Sequence, residues 1–280
     1  MDQKEKATLL RTLHKRGDPI VFVNAWDAGS TRMIEVAGAK AIATTSAGLA
    51  QALGYPDGQK LPWNELLAAV RRIVRVVKLP VTTDIEAGFA ANPQELQRNI
   101  EELIDAGAVG VNLEDFIHDG QKKELYPLEE QVSRIQSVRQ AAEKKSIPLV
   151  INARTDAYCA DVTVPEESRV EQTVVRGRAY MHTGADCIFI PGAVDLSVIS
   201  RLVEQIDAPV NVLAIKGAPS IAELSRVGVA RVSVGSGLFR AAYTKAKHAA
   251  QEVLQRGTYA GFIEDTFPYE DFNRLFRVEN

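Results

Sequence analysis

The chain has 280 residues, enough for one large α/β domain. Its 46% apolar and 25% charged residues exclude a long disordered polymer, and 36 acidic against 33 basic side chains exclude general binding to a nucleic-acid backbone. Two cysteines, Cys159 and Cys187, are too few for a disulfide scaffold or a multi-cysteine zinc module. The opening stretch MDQKEKATLLRTLHKRG carries charge throughout, unlike a signal peptide. No run approaches the ~18 uncharged apolar residues of a membrane span. The expectation is a cytoplasmic chain with neither membrane nor nucleic acid as partner.

In chain order, eight short apolar runs are introduced in two alternating ways. Asp18-Pro19 precedes 20–25 (IVFVNA), and Gly38-Ala39 precedes 40–46 (KAIATTS). Leu79-Pro80 precedes 81–86 (VTTDIE), and Gly107-Ala108 precedes 109–115 (VGVNLED). Ile147-Pro148 precedes 149–154 (LVINAR), and Gly184-Ala185 precedes 186–192 (DCIFIPG). Ala208-Pro209 precedes 210–214 (VNVLA), and Gly228-Val229 precedes 230–235 (ARVSVG). Proline suits a strand entry, where its missing N–H costs little. Glycine suits the end of a helix that turns into the next strand.

Helical periodicity fills the gaps. The first such segment, 61–77, opens near Pro62 and sets Leu66, Leu67, Val70, Ile73, Val74 and Val77 on one face. The spans 93–106, 127–144, 165–183, 194–206, 219–227 and 238–256 read alike. Eight strand–helix repeats predict an α/β chain folded as a (β/α)8 TIM barrel, one domain over residues 1–280 with a helical tail at about 257–280. An open doubly wound sheet is the alternative. The turn at Gly235-Ser236-Gly237 is no dinucleotide loop, because it follows the last strand and has Arg240 at the sixth position.

A barrel places its functional side chains at the C-terminal ends of its strands. Those ends carry Asn24, Thr44-Thr45-Ser46, Asp84 and Glu86, Glu114 and Asp115, Arg154 and Asp156, Pro191-Gly192, Asn211 and Gly235. Several carboxylates around one mouth repel unless a divalent cation sits among them. Oxygen ligands without paired histidines favour Mg²⁺ or Mn²⁺. Asp115 is read as a helix cap or solvated loop residue, His14 and His248 as helix-surface residues, and His182 as a helix-end residue. Cys159 and Cys187 are read as small packed residues. Only His118 lies in a mouth loop.

The segment 24–58 (NAWDAGSTRMIEVAGAKAIATTSAGLAQALGYPDG), with DIEAGF at 84–89, NLED at 112–115 and ARTDAY at 153–158, resembles the isocitrate lyase / phosphoenolpyruvate mutase superfamily in order and spacing over nearly the whole chain. The resemblance implies that Thr45, Ser46 and Ala47 grip the substrate's carboxylate and oxo groups, and that Asp57 belongs to the site. It also implies Asp84 closest to a Mg²⁺ or Mn²⁺ ion, Glu86 and Glu114 reaching the metal through water, and Arg154 on the substrate's anionic end. Asn211 is taken as a further substrate-binding residue. A swapped final helix joining subunits into a homodimer or tetramer is implied too.

Two departures stand out. Asp84-Ile85-Glu86 replaces the Asp-X-Asp of several members. The Lys-(Lys/Arg)-Cys-Gly-His motif, whose cysteine serves the isocitrate and methylisocitrate lyases as proton donor, is missing from 116–130 (FIHDGQKKELYPLEE), although that polar stretch suits a lid. The expected activity is therefore Mg²⁺-dependent cleavage of a carbon–carbon bond in a small 2-oxo acid through an enolate, by decarboxylation of an oxaloacetate-like acid or by retro-aldol cleavage. Water, His118, Tyr126 and Tyr158 are the candidate proton sources. The alternatives are a P–C bond phosphonomutase or hydrolase, a methylisocitrate lyase with a substitute acid, a Schiff-base aldolase using Lys216, and a non-catalytic 2-oxo acid binder.

Overall fold

The computed structural model describes residues 1–118, 124–264 and 266–277. Eight strands appear where the apolar runs predict them: β1 (Ile20–Phe22), β2 (Ile42–Ala43), β3 (Val81–Asp84), β4 (Gly110–Glu114), β5 (Val150–Arg154), β6 (Cys187–Ile190), β7 (Val210–Leu213) and β8 (Arg231–Ser233). All are parallel, each consecutive pair from β2 to β8 is hydrogen-bonded, and β8 returns to β1. The gap between β1 and β2 is spanned beyond the strands by a parallel bridge from Ala25 to Thr44. Asn24 pins the same seam: its Nδ2 donates to Thr44 O (2.7 Å), and its Oδ1 accepts from the N–H groups of Val234 and Gly235. The sheet is a nearly closed barrel, which is the (β/α)8 architecture.

The helices follow from local signals. The chain contains α1 (Gln3–Thr12), α2 (Ala28–Val36), α3 (Ser46–Ala52), α4 (Trp63–Val76), α5 (Pro93–Asp105) and α6 (Leu128–Lys144). It continues with α7 (Glu166–His182), α8 (Leu196–Ile206), α9 (Ile221–Arg226), α10 (Gly237–Arg256), α11 (Ala260–Ile263) and α12 (Tyr269–Arg274). In α5, Asn92 caps the first turn by accepting from Glu95 N–H, Pro93 starts the helix, and Leu96, Ile100, Leu103 and Ile104 form its buried face. Gly107 then turns the chain toward β4 at a φ of 98°, a conformation that L side chains rarely adopt.

Helices and sheet enclose one large apolar cluster between them, and a second cluster fills the barrel's lower interior. The lower cluster comprises Ile20, Phe22, Ala41, Ala43, Val109 and Val150, sealed from below by Ala7 and Leu10 of α1. Gly110 makes this closure possible: a Cβ there would stand 2.9 Å from Leu10 Cδ2 and 2.8 Å from Thr82 Oγ1. The charged N-terminal stretch is thus a plug, anchored by the apolar side of an amphipathic helix. His14, expected on a helix surface, instead turns inward beside Phe22 and Arg231.

The last long helix behaves differently from the rest. Only Phe239 of α10 is buried, while Leu254 is 84% exposed and Tyr269, further on, 80%. Among the described residues, no helix is long and apolar enough to cross a membrane.

Candidate active site

The C-terminal ends of the strands converge on a cavity of about 190 Å³. Ser46, Asp57, Glu86, Glu114, His118, Arg154 and Asp156 supply its polar lining, with Phe116, Cys159 and Ala160 beside them. Each reaches it for a local reason. Ser46 opens α3, directly after β2. Glu86 follows β3 with a left-handed backbone (φ 49°), an arrangement that costs ~1–2 kcal/mol in a non-glycine residue and points to outside constraint. Part of that constraint is Gln59 N–H, which donates to Glu86 Oε2 at 2.7 Å. Arg154 and Asp156 lie two residues apart at the end of β5, so both turn toward the barrel axis.

Charge dominates the cavity. Arg154 Nη1 lies 2.8 Å from Glu114 Oε2, and its Nε and Nη2 bind Asp156 in a two-pronged pair, both at 2.8 Å. One N–H on each terminal nitrogen stays free to meet an anion. His118 Nε2 is hydrogen-bonded to Glu114 Oε1 and stands 3.7 Å from Glu86 Oε2. Burial, followed by the charges of Asp57, Asp84 and Glu114, pushes the Glu86 carboxyl up to about 8. Burial also raises Glu114 against the opposing pull of Arg154 and His118. Lost hydration and the neighbouring Asp84 raise Asp57. Burial disfavours a charged His118, yet the Glu114 hydrogen bond and the charges of Glu114, Glu86 and Asp57 prevail and raise it.

Glu86, Glu114 and His118 bring one donor atom each within 4.8 Å of one another, a grouping able to hold a metal ion. Burial and neighbouring negative charge disfavour the charged forms of Glu86 and Glu114, and a hard divalent cation between them would offset both effects. Asp84, expected nearest the metal, is not in this trio. Its Oδ2 accepts from Ser46 N–H (3.1 Å) and its Oδ1 from Glu86 N–H (3.3 Å), so it braces two site residues from below.

The other expected residues divide. Thr45 and Ala47 flank Ser46 in the first turn of α3 and do not line the cavity. Asn211 is fully buried; its Oδ1 accepts from the Ser233 hydroxyl (3.2 Å), and among the described residues its Nδ2 has no hydrogen-bond partner. Lys216 is exposed and outside the cavity. Of the candidate proton sources only His118 faces the cavity, since the Tyr158 hydroxyl donates to Glu166 and the Tyr126 ring lies under Arg134. In the stretch 116–130, residues 119–123 lie outside the described residues, while Phe116 and Leu125 at its flanks form an antiparallel bridge.

Two expectations need correction. Asp115 is neither cap nor solvated loop residue: fully buried, it accepts from Asp156 N–H, the Tyr180 hydroxyl and Arg176. Cys159 is not simply packed, because it faces the cavity with its Sγ 3.4 Å from Asp156 Oδ1. Asp156 and Cys159 were not singled out as site residues. The two-residue spacing from Arg154 was the signal for Asp156, whereas no sequence signal marked Cys159.

The chain is similar to known proteins over most of its length. Residues 10–254 match the family model for phosphoenolpyruvate phosphomutase. The 2-methylisocitrate lyase of Escherichia coli K12 is 28% identical over 260 residues, covering 88% of this chain and 84% of that protein. The oxaloacetate decarboxylase of Pseudomonas putida GB-1 is 30% identical over 216 residues, covering 74% and 69%. A crystal structure from Burkholderia cenocepacia J2315, provisionally described as a phosphonomutase, superposes with a TM-score of 0.85 at 36% identity, covering 91% of this chain and all of that one. The chain belongs to the phosphoenolpyruvate phosphomutase family, within the isocitrate lyase / phosphoenolpyruvate mutase superfamily of lyases and mutases, and is an enzyme.

Proposed function

We propose that the enzyme is a divalent-metal-dependent carbon–carbon lyase that cleaves a small 2-oxo acid through an enolate, oxaloacetate or a close analogue being the substrate class. The observation that carries this reading is the trio Glu86, Glu114 and His118 beside Arg154 in a cavity of only about 190 Å³. Such a volume suits a small acid better than a drug-sized ligand. The 30% identity to an oxaloacetate decarboxylase supports the same choice.

A Mg²⁺ or Mn²⁺ ion would be held by Glu86, Glu114 and His118, and would supply positive charge for the oxygen that becomes negative as the carbon–carbon bond breaks. Arg154 uses its free N–H groups to hold the substrate's carboxylate, and Asp84 and Asp156 fix Ser46 and Arg154 in place. As carbon dioxide departs, the bonding pair passes to the remaining carbon and its oxo group. With His118 engaged by the metal, the proton that this carbon then takes up comes from water.

The test is a Mg²⁺-supplemented screen of oxaloacetate, methylisocitrate and phosphonopyruvate, read by pyruvate release and phosphorus NMR. Oxaloacetate should be the best substrate, oxalate should inhibit only with metal present, chelator should abolish turnover, and borohydride should trap nothing. The 36% identity to a structure provisionally described as a phosphonomutase favours a second reading, P–C bond chemistry. Phosphorus migrating between carbon and oxygen would establish that instead.

The same reading takes the chain as one barrel domain whose α10 and tail exchange with a second copy. Its support is that α10 buries only Phe239 in the single chain.

A further inference from the structure

Arg231 is a buried cation without a carboxylate partner. It projects from β8 into the barrel and is fully inaccessible. Its Nη2 donates to Asn112 Oδ1 at 3.4 Å, its Nη1 faces His14 Nε2 at 3.5 Å, its guanidinium lies 4.3 Å from the Phe22 ring centroid, and among the described residues its Nε has no hydrogen-bond partner. Nδ1 of His14 is bonded to the Leu10 carbonyl at 2.8 Å; a carbonyl only accepts, so Nδ1 carries the proton and Nε2 faces Arg231 as acceptor. Burial, with the Arg231 charge behind it, holds His14 neutral, down to about 3. Burial lowers Arg231 only to about 10, so it stays charged at neutral pH. No carboxylate pairs with it among the described residues.

Leaving such a charge unpaired in an apolar interior is expensive, and an apolar residue of similar volume often serves stability as well or better. Something else must offset the charge. Asn112, which accepts from Arg231, is the register partner of Asp84 and stands two residues before Glu114 on β4. The Asp84 charge acts on the Arg231 guanidinium across this contact, so the cation and the acidic cluster are within electrostatic reach of each other. Asn152 Nδ2 donates to the same Asn112 Oδ1 and fixes that contact.

We propose that Arg231 is a positioning residue whose fixed charge, beneath the carboxylate cluster, loosens the site's hold on a divalent cation and tightens its hold on an anionic 2-oxo acid. This rests on the metal-dependent reading above. The two effects have opposite signs, which separates them from damage to the fold, because damage weakens both.

The experiment titrates Mn²⁺ into the metal-free full-length protein by calorimetry, then oxalate at saturating Mn²⁺. Parent, Arg231→Met, Arg231→Gln and Arg231→Lys are compared, with melting curves to verify folding. Gln removes the charge while leaving a polar amide near the position of Nε, so it serves if the Met variant does not fold. The neutral variants should bind Mn²⁺ about tenfold tighter and oxalate severalfold more weakly, with Lys within about twofold of the parent, as expected for charges interacting across several ångströms of protein. Unchanged affinities, or a loss of both, would overturn the proposal while leaving the metal site standing. A parent that binds no Mn²⁺ would overturn the metal-dependent reading and this proposal together.

Discussion

The two ends of the barrel are built by the same eight strands to opposite specifications. At the N-terminal end, Ile20, Phe22, Ala41, Ala43 and Val150 pack against Leu10 and Ala7 of α1, with the Arg231 guanidinium reaching the Phe22 ring. At the C-terminal end, Asp57, Glu86, Glu114 and Asp156 crowd around Arg154 and His118. One end holds the barrel together, and the other accepts repulsion and strain because it must receive a charged ligand. A barrel separates these tasks along its axis, so changes at the two ends should have separable effects.

The largest expected effect is at the mouth. Arg154→Ala removes the donors for the substrate's carboxylate and strands Glu114 and Asp156 without their cation. It should lower kcat/KM on the order of 10³-fold, about 4 kcal/mol of transition-state stabilisation. Steady-state kinetics of folded protein would decide. A variant within tenfold of the parent would remove Arg154 from substrate binding.

Next comes the plug. Leu10→Ala empties a fully buried side chain's space beneath the barrel, which typically costs about 3 kcal/mol. Urea denaturation should register that loss, while kcat/KM of the folded fraction stays within about twofold of the parent. A parallel fall in activity would show that the ends are coupled, against the separation argued above.

The same division explains what was legible in the sequence. The strand entries at proline and exits from glycine are local signals, and the eight runs lie where β1 to β8 form. The helix α3 gave no such signal, because its seven residues (SAGLAQA), six of them small or apolar, have no clear periodicity. His14 and Asp115 were misread because their deciding partners are distant in sequence: Arg231 is 217 residues from His14, and Tyr180 is 65 from Asp115. At the mouth, charge made Glu86, Glu114 and Arg154 visible. Phe116 was not, since an aromatic residue facing a cavity reads like one facing the core.

The third effect is the pH dependence that separates mouth from plug. Glu86 titrates near 4.5 when unfolded and about 8 when folded, so between these values the folded state keeps a proton that the unfolded state releases. The stability associated with that proton is complete below about 4.5 and is lost as pH rises through about 8. Metal-free protein should lose on the order of 2 kcal/mol between pH 6 and 8.5 from this group. Glu86→Gln should flatten the slope, and Leu10→Ala should leave it unchanged. Urea midpoints across the range test this; a midpoint that rises with pH in the metal-free parent would contradict the sign.

The smallest effect on the folded chain belongs to the region that neither end of the barrel covers. Over its 20 residues α10 buries only Phe239, and Leu254, Tyr259 and Ile263 beyond it are 84%, 59% and 57% exposed. Exposed apolar side chains in that number are what the proposed exchange with a second copy would cover. If a second copy covers it, Leu254→Ser leaves the single chain almost as stable as before, within about 0.5 kcal/mol, because an exposed side chain has little burial to lose. The same substitution should lower the mass measured by light scattering at micromolar concentration and make the melting temperature of the parent, but not the variant, depend on protein concentration. A parent that is monomeric at that concentration would return α10 to its own chain and remove the exchange, leaving the barrel and both of its ends as described.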